Sequence, residues 1–372
     1  MTVRTLLLLA CVSVASVLRP DPATAQAVPK ISPVQFETYV RHATLGIRTL
    51  QSWYSPATGL YRTTAWWNAA NAITVLVEYS RLGPSRAYLG TVRNTFVRAQ
   101  AKYPGFLNAF YDDEGWWALA WIAAYDATGD RRYLAMARSI FRDMTRGWDT
   151  AACGGGVWWS KERRYKNAIA NELFLAVAAR LANRVAPVAQ RAWYRTWARR
   201  EWAWFRRSGM VNAEHVVNDG LDSSDPARCV NNGFPTYSYN QGVILGGLVE
   251  LDRAAPGDPA LLATAEEIGD AAILRMTDAD GVLHDPDEPD EGADGVQFKG
   301  IFVRNLAALD ARVHDPRYAR FVTANADSIW RNDRGPRDRF GQVWSGPVHG
   351  ASAGMQASAL DALIAAAEVS RE

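Results

Sequence analysis

Three consecutive acidic residues, Asp112, Asp113 and Glu114, precede a segment that is otherwise apolar and aromatic and begins Gly115-Trp116-Trp117. Two carboxyl groups held side by side repel each other's charge, so one keeps a proton while the other stays ionised. Hydrolysis of a glycosidic bond requires this division between an acid that protonates the leaving oxygen and a carboxylate that attacks the anomeric carbon. Acidic residues are equally typical of a helix N-terminus, where capping and the helix dipole favour them. From the residues alone, a catalytic pair and an ordinary helix start are both open.

Tryptophan is abundant, with 15 residues in a chain of 372. Several stand in pairs beside glycine or polar residues, as in Trp66-Trp67-Asn68 and Gly156-Val157-Trp158-Trp159. A sugar ring presents apolar C–H faces and a rim of hydroxyl groups, so flat aromatic side chains flanked by hydrogen-bonding groups suit it. For any single tryptophan, the alternative is a place in a large hydrophobic core with a partner for its indole N–H.

Charge and metal-ligand patterns exclude several other functions. The formal net charge of +2 gives no basis for binding nucleic acid or an acidic partner. The five histidines stand apart from one another and no Cys/His spacing suits zinc, so we expect no metal and no cofactor. The most acidic stretch, from His284 to Asp294, lacks the spaced Asp pattern and terminal Glu of a calcium loop. We predict a solvated loop there, with an ion site as the less favoured alternative.

The N-terminus has the pattern of a secretory signal peptide. Met1 and Arg4 are followed by an apolar run from Leu6 to Leu18 and by the small residues of 23–27. The run is shorter than the ~20 residues that cross a bilayer, which disfavours the alternative of an uncleaved anchor. We therefore predict that residues 1–27 are removed and that the protein is secreted, to the extracellular space or periplasm, without further membrane association.

Only Cys153 and Cys229 are left after removal of that segment. An even pair of cysteines in an exported protein predicts a disulfide, because exported proteins fold under oxidising conditions. Two free buried thiols are the alternative.

Helical spacing of apolar residues dominates the chain, in about twelve stretches between residues 34 and 370. Alternate connections are short and alike, such as Thr128-Gly129-Asp130 and His314-Asp315-Pro316, where one helix ends and an Asp caps the next. The other connections are long and rich in Gly, Trp and Asp, and they cover 104–112, 148–164, 209–237 and 278–294. Six helical hairpins with their long loops on one face predict an all-α fold, an (α/α)6 barrel formed by a single domain over residues 28–372. An open solenoid of helix pairs is the alternative.

The segment around the acidic triplet resembles glycoside hydrolase family 76, the endo-α-1,6-mannanases. The similarity is carried by Tyr111-Asp112-Asp113-Glu114-Gly115-Trp116-Trp117 and continues through four further blocks in the family's order, Cys153–Trp159, Tyr165–Leu173, Tyr237–Gly242 and Gln297–Arg304. Each block alone is a weak signal, whereas all five in order cover most of the chain.

The resemblance implies the same barrel and a retaining mechanism in which Asp112 is the nucleophile and Asp113 the acid/base. It implies α-mannan or a mannooligosaccharide as substrate, and we expect a monomer. Candidate substrate-binding residues are the aromatic and polar side chains near these blocks: Trp66, Trp67, Asn68, Trp116, Trp158, Trp159, Asn171, Asp222, Tyr237, Asn240, Gln241 and Lys299. Asp219, close to Asp222, either reaches the cleft or forms a turn.

Two alternatives in function stay open beside hydrolysis. A transglycosidase of the same fold would attach glycan to an acceptor other than water. A mannan-binding protein would keep the fold and lack hydrolytic activity, although the presence of both aspartates disfavours it.

Overall fold

Twelve long helices form from the stretches with apolar residues at helical spacing. The computed structural model describes residues 33–83, 86–290 and 292–371, and the predicted signal peptide lies outside the described residues. The helices are α1 (Pro33–Gln51), α2 (Trp66–Leu82), α3 (Leu89–Arg98), α4 (Tyr111–Thr128), α5 (Arg131–Met144), α6 (Ala168–Arg184), α7 (Val188–Ser208), α8 (Ser238–Ala254), α9 (Ala260–Arg275), the single turn α10 (Gly292–Gly295), α11 (Phe298–Val313), α12 (Pro316–Asn332) and α13 (Ala353–Val369). The all-α prediction is confirmed.

Six of these helices form a closed inner ring. Helices α2, α4, α6, α8, α11 and α13 each pack against the next one in this order, and α13 packs against α2. The remaining long helices lie outside the ring, each against an inner helix, as α5 does on α4 and α7 on α6. This closure confirms the (α/α)6 barrel and rules out the open solenoid.

The composition of each helix decides its place in the ring. In α4, every residue from Glu114 to Ala124 is buried, as expected for a helix with neighbours on all sides. In α5, the buried residues include Tyr133, Ala137 and Ile140, which recur at helical spacing along one face. Gly242 of α8 lies against the backbone of Phe302 in α11, where an added Cβ would be 2.5 Å from the Phe302 Cα. Glycine there lets two inner helices approach closely.

Short connections lie at one end of the barrel and long loops at the other. Gly129 ends α4 with a positive φ of 72°, which glycine adopts without strain. The Asp130 carboxylate then accepts a hydrogen bond from the Arg132 amide at 3.0 Å and caps α5. Because all inner helices start after a long loop, their N-termini meet at the same end of the barrel, which we call the cleft end.

The long loops carry small antiparallel hairpins. Three of them are paired as β1 (Tyr54–Ser55) with β2 (Leu60–Tyr61), β3 (Leu221–Asp222) with β4 (Val230–Asn231), and β5 (Arg334–Gly335) with β6 (Arg339–Phe340). Side-chain amides fasten the returning segments to the helices, as Gln241 does by bonding both the N–H and the C=O of Val217, at 2.7 and 2.8 Å. Gln356 likewise accepts a hydrogen bond from the Phe340 amide. The loops are thus held firmly over the N-termini of the inner helices.

None of the helices in the described ranges combines the length and the apolar composition needed to cross a bilayer.

Candidate active site

The acidic triplet lies in the first turn of α4, at the cleft end. The Tyr111 amide donates a hydrogen bond to the Trp159 carbonyl at 2.9 Å, which joins the start of α4 to the loop that follows α5. Asp112 and Asp113 are partly exposed, whereas Glu114 is 0% exposed and forms an ion pair with Lys161 at 2.7 Å. The three acids therefore separate into a reachable pair and a buried anchor of the helix start.

One oxygen of each carboxylate in the pair is held by a neutral donor. Trp159 Nε1 donates to Asp112 Oδ2 at 2.9 Å, and Asn108 Nδ2 donates to Asp113 Oδ2 at 2.5 Å. Asp112 Oδ1 has no hydrogen-bond partner within the described residues. Neutral donors orient the carboxylates without neutralising their charge, which keeps both groups available for chemistry.

Burial and mutual repulsion raise the affinity of this pair for protons. Burial raises the pKa of Asp112 well above its usual range, and the charge of Asp113 raises it further. Burial raises the pKa of Asp113 to about 6, and the charge of Asp294 adds to the effect. Two neighbouring carboxyls of this kind titrate as a pair and share one proton over a range of pH, which is the state that acid and nucleophile roles require.

Asp294 is a cleft residue that the sequence prediction missed. Its Oδ1 accepts a hydrogen bond from Trp67 Nε1 at 2.7 Å, and its charge raises the pKa of Asp113. We expected a solvated loop over His284–Asp294. Asp294 belongs instead to α10, which comes just before inner helix α11. The position of a residue just before an inner helix was the signal that could have identified it, because inner-helix starts converge on the cleft.

Stacked aromatic rings lie beneath the carboxylates. Trp67 stacks on Trp116 with ring centroids 5.4 Å apart and on Phe298 at 6.3 Å, and Phe298 stacks on Tyr239 at 3.9 Å. We call these four rings, from α2, α4, α11 and α8, the aromatic floor. Trp159 lies beside the pair and is 37% exposed, so its ring face is open to a ligand. Flat rings beside carboxylates suit a sugar ring.

A second group of polar residues lies near the floor. Asp219 accepts a hydrogen bond from the Tyr165 hydroxyl at 2.5 Å. Burial raises the pKa of Glu172 and of Tyr239, and the charge of Asp219 raises both further. Asp219 thus faces the barrel interior, as one of the two sequence interpretations expected. Asn240, a predicted sugar ligand, is buried, and its amide has no partner among the residues described.

Two of the predicted substrate-binding residues, Trp66 and Asn68, are buried and contact neighbouring side chains of the protein. Trp66 is buried against Tyr103 and Trp117, with ring centroids 4.8 and 4.7 Å away. Asn68 is fully buried and donates to Gln297 at 2.9 Å. Both side chains are packed between helices, although Trp66 Nε1 and Asn68 Oδ1 have no hydrogen-bond partner among the described residues.

Three further predicted sugar-binding residues, all polar, form contacts with other residues of the protein. Asp222 is exposed in β3 and accepts a hydrogen bond from the Ser224 amide at 2.9 Å, as in a turn. Lys299 is buried, forms an ion pair with Glu288 and donates to the Gln342 carbonyl at 2.7 Å. Gln241 clamps Val217, as described above. These contacts give each of the three side chains a structural role, and sugar binding by them stays a prediction.

Tyr237 lies at the entrance to α8. Its ring is 5.3 Å from Phe298 and its hydroxyl donates to Asp287 at 3.3 Å. It therefore borders the aromatic floor on the side of the 276–297 loop.

Buried hydrogen bonds within the loop that follows α5 position Trp159 beside Asp112. Lys166 is fully buried and donates to the carbonyls of Asp149 and Ala152 at 2.8 and 2.7 Å, and to Gly155. Asn171 is fully buried and bonds both the amide and the carbonyl of Val157, at 2.6 and 3.0 Å. These bonds fix the loop that ends in Trp159.

The same loop is closed by the predicted disulfide and packed by aromatic rings. Cys153 and Cys229 are bonded, with Cα atoms 5.2 Å apart. Trp158 donates to Asp149 at 3.1 Å, and the Lys166 ammonium lies 4.7 Å from its ring centroid. An added Cβ on Gly156 would be 2.3 Å from the Trp204 ring, so the glycine run permits this close approach. Trp158 and Asn171 therefore serve the site by holding Trp159.

The acidic 278–294 loop is anchored to neighbouring elements by several of its side chains. His284 interacts with Glu288 at 2.7 Å and Asp278 at 3.0 Å, and Asp285 accepts from the Ser238 amide at 2.6 Å at the start of α8. The prediction of a solvated loop agrees with the exposure of Asp287 and Asp290, whereas Asp285 bonds the start of α8 and Glu288 pairs with Lys299. Within the described residues, no cluster of His, Cys, Asp and Glu is arranged to hold a metal ion.

Comparison with known proteins places the chain in a family. The sequence matches the family described as Glycosyl hydrolase family 76 over residues 41–371. It is 24% identical to mannan endo-1,6-alpha-mannosidase DCW1 of Eremothecium gossypii, over 73% of this chain and 64% of the relative. It is 25% identical to mannan endo-1,6-alpha-mannosidase DFG5 of Saccharomyces cerevisiae, over 68% of this chain and 59% of the relative. The chain thus spans less than two thirds of the length of these relatives.

The fold is shared with solved structures. An inactive variant of the alpha-1,6-mannanase GH76A of Salegentibacter sp. HEL1_6, in complex with alpha-1,6-mannotetrose, superposes with a TM-score of 0.81 at 22% identity. The match covers 89% of this chain and 99% of the other. Because the family match covers nearly the whole described chain, this protein belongs to glycosyl hydrolase family 76.

Proposed function

We propose that this protein is a secreted glycoside hydrolase that cleaves α-1,6-mannosidic linkages of mannan by a retaining mechanism, with Asp112 and Asp113 as the catalytic residues. The observation that carries the proposal is the pair itself. Two partly exposed carboxylates stand in one helical turn, each held by a neutral donor, above a floor of stacked aromatic rings.

The proposed reaction has two steps on this pair. Asp112 attacks the anomeric carbon while Asp113 gives its proton to the glycosidic oxygen, so the leaving mannan fragment departs as an alcohol. The mannosyl group is then an ester of Asp112. Asp113, now ionised, takes a proton from water, and the resulting hydroxide equivalent attacks the same carbon and releases the mannosyl chain with retained configuration. Asp112 is regenerated as a carboxylate.

The surroundings of each aspartate support these roles. The Trp159 N–H stabilises the ionised form of Asp112, which the nucleophile needs. The raised pKa of Asp113, about 6, suits a group that gives and takes a proton near neutral pH. Substrate would lie over the aromatic floor and against Trp159, where C–H faces can stack.

The names of relatives support mannan as the substrate. The yeast relatives are mannan endo-1,6-alpha-mannosidases by name, and the solved Salegentibacter complex holds alpha-1,6-mannotetrose. The inactive variant in that complex has two consecutive aspartates replaced by alanine, in agreement with an adjacent pair as the catalytic centre.

Secretion is proposed from the N-terminal pattern of residues 1–27, with support from the disulfide. Expression of the full chain in a bacterial host, followed by N-terminal sequencing of the exported protein, tests it. A mature N-terminus near residue 26 or 28 is expected, and retention of the complete chain in the cytoplasm would contradict it.

Hydrolysis of an α-1,6-mannan backbone tests the activity. The wild type is expected to release mannooligosaccharides, and Asp112→Asn and Asp113→Asn to release none at equal protein concentration. Asp258→Asn is the matched control, because Asp258 is exposed in the short α8–α9 connection at the opposite end of the barrel. Circular dichroism verifies that every variant is folded. A wild type that binds mannan without releasing products would favour the mannan-binding alternative.

Product stereochemistry tests the mechanism and the assignment of roles. Proton NMR of the first products should show the α-anomer, because two displacements restore the starting configuration. With an activated mannoside and azide, an Asp113→Ala variant should yield the α-azide and an Asp112→Ala variant the β-azide. The reverse pattern would exchange the two roles.

Transfer to sugar acceptors separates hydrolysis from transglycosylation. Incubation with mannotetraose at millimolar concentration is expected to yield shorter products only. Products longer than the substrate would show that a sugar hydroxyl competes with water for the mannosyl-Asp112 ester, and would favour the transglycosidase.

A further inference from the structure

The barrel interior contains a second space behind the aromatic floor. This space, of about 390 Å3, is surrounded by the C-terminal halves of all six inner helices, and we call it the rear chamber. Trp116 of the aromatic floor also lines the chamber, so one ring separates it from the catalytic cleft. Its volume is within the range of ordinary small-ligand sites.

Six arginines and six acidic residues form the charged lining of this chamber. The six arginines in its wall are Arg81, Arg180, Arg184, Arg253, Arg304 and Arg371. Three of them, Arg81, Arg184 and Arg253, lie in the last turns of inner helices, where the helix dipole favours positive charge. A structural role accounts for these three without any ligand.

Most chamber arginines also have a protein partner. Arg184 pairs with Asp126 at 2.7 Å and with Glu250 at 3.1 Å, and Arg253 pairs with Glu250 at 3.1 Å. Arg304 pairs with Asp361 at 3.1 Å. Arg81 pairs with Glu78 at 2.8 Å, and Arg371 donates to the Leu82 carbonyl.

Arg180 differs from the others. It lies four residues before Arg184, so it is one turn deeper in the barrel and beyond the reach of the helix-end dipole. Its Nε is buried and has no hydrogen-bond partner among the described residues. Burial lowers its pKa, and the charges of Glu250 and Glu78 offset that effect only through space.

The two carboxylates whose charges act on Arg180 already form hydrogen bonds or ion pairs with other residues. Glu250 accepts hydrogen bonds from Asn183, Arg184 and Arg253, at 2.9, 3.1 and 3.1 Å. Glu78 is held by Arg81. A guanidinium has five N–H donors and cannot lose its charge, so burial without a partner is costly.

We propose that the rear chamber is a binding site for a small oxyanion, phosphate or a carboxylate, which Arg180 holds with its planar guanidinium. Such a ligand presents two or three oxygens to the parallel N–H groups of arginine, the geometry that guanidinium groups favour. The chamber has room for a phosphate together with several waters. This site is independent of the proposed mannanase activity, since Arg180 contacts neither catalytic aspartate.

Binding of inorganic phosphate to the complete mature protein tests the proposal. In a phosphate-free, low-salt buffer, added phosphate should raise the melting temperature saturably, by about 2 °C at tenfold excess over Kd. Isothermal titration should show one site. Succinate in a parallel titration identifies the source of the anion, because stronger stabilisation by succinate would assign the site to carboxylates.

Arg180→Met and a matched arginine variant decide whether phosphate binds in the rear chamber. Arg180→Met should abolish the phosphate effect, whereas Arg199→Met, on the exposed face of α7, should keep it. Without phosphate, Arg180→Met should melt at a higher temperature than the wild type, because an unpartnered buried charge is gone.

Three results would overturn the proposal. One is an equal phosphate effect in Arg180→Met, and another is the absence of a saturable phosphate or succinate effect on the wild type. The third is an Arg180→Met variant that melts below the wild type in phosphate-free buffer, since Arg180 would then be stabilised by the protein alone. If Arg180→Met does not fold, Arg180→Lys, which keeps the charge without the planar fork, should bind phosphate at least tenfold more weakly.

Discussion

The catalytic pair at the cleft end and Glu250 in the rear chamber differ in the partners of their carboxylates. At the cleft end, Asp112 and Asp113 are held by neutral donors, and their pKa values are raised. In the rear chamber, Glu250 is surrounded by arginines, and its pKa is lowered to about 2. The same chemical group is therefore made reactive in the catalytic pair and inert in Glu250, because Glu250 forms ion pairs with arginines whereas the catalytic pair is held by neutral donors.

The direction of the inner helices contributes to this difference. All six present N-termini to the cleft and C-termini to the chamber. The helix dipoles favour acids at the first end and arginines at the second. The common direction of the inner helices thus favours acidic side chains at the cleft end and basic ones at the other end, independently of side-chain pairing.

The largest expected contrast is in catalysis. Asp113→Asn should lower kcat on α-1,6-mannan by about 10³-fold or more, because it removes the group that transfers the proton. Glu250→Gln should keep the activity within about twofold when it is measured well below its melting temperature. Initial rates from reducing-sugar release compare the two variants. A large loss of kcat in folded Glu250→Gln would show that the ends are catalytically coupled.

Stability should show the reverse contrast. Glu250→Gln is expected to lower the free energy of unfolding by about 3 kcal/mol at pH 7, because it leaves Arg184 and Arg253 without their shared carboxylate. The pKa of Glu250 is depressed, so its contribution is complete above the unfolded value near 4.5 and is lost as pH falls toward 2. Urea unfolding at pH 7 and pH 3 measures this. An effect that is as large at pH 3 as at pH 7 would exclude the ion pair as its cause.

The hydrogen bond from Trp159 is the next target at the cleft end. Trp159→Phe keeps an aromatic face and removes the N–H donor to Asp112. We expect kcat to fall by about tenfold, as for the loss of one hydrogen bond to a charged group, with little change in KM. Trp193→Phe, on the exposed surface of α7, is the control. If KM alone rises, Trp159 binds sugar without supporting the nucleophile.

Asp112→Asn should stabilise the protein while it abolishes activity. The pKa of Asp112 is raised in the folded state, so its ionisation opposes folding as pH rises through that value. The amide removes this cost, and we expect a gain of about 1 kcal/mol that is larger at pH 8 than at pH 5. Thermal unfolding at both pH values tests the direction. A loss of stability at pH 8 would mean that the carboxylate is better compensated than its contacts indicate.

The smallest expected effect is on pH dependence. Asp294→Asn removes the charge that raises the pKa of Asp113 and keeps an oxygen that accepts from Trp67. The alkaline limb of the kcat/KM profile reports loss of the Asp113 proton and is expected near pH 6 in the wild type, so it should move to lower pH. Asp287→Asn, on the same loop, serves as a control. An unchanged alkaline limb would show that Asp294 does not act on the catalytic pair.

The fold was predictable because its determinants are local. Apolar spacing, Asp130 and Asp315 as caps, and Gly129 as a helix end are written in consecutive residues. Closure of the ring followed from six hairpins with long loops on one face. The adjacent pair Asp112–Asp113 was predictable for the same reason, since neighbours in sequence remain neighbours at the start of a helix.

The roles of individual side chains depended on distant contacts and were harder to predict. Trp158 and Trp159 are consecutive, yet Trp158 bonds Asp149 inside the loop while Trp159 bonds Asp112. Asn171 has the chemistry of a sugar ligand and instead holds the backbone of Val157. The residue type shows which hydrogen bonds a side chain can make, whereas the tertiary structure decides which loop lies beside it and supplies the partner.

The sequence alone determined the helices, their hairpin order, the family of the chain and the adjacency of its two acids, because each depends on near neighbours or on motifs in order. Only the tertiary structure decided which aromatic rings line the cleft, that Asp294 joins it, and that Arg180 lacks a partner in the chamber. Burial and charge pairing arise between helices far apart in the chain, and those are the interactions that raise the pKa of Asp113 and lower that of Glu250.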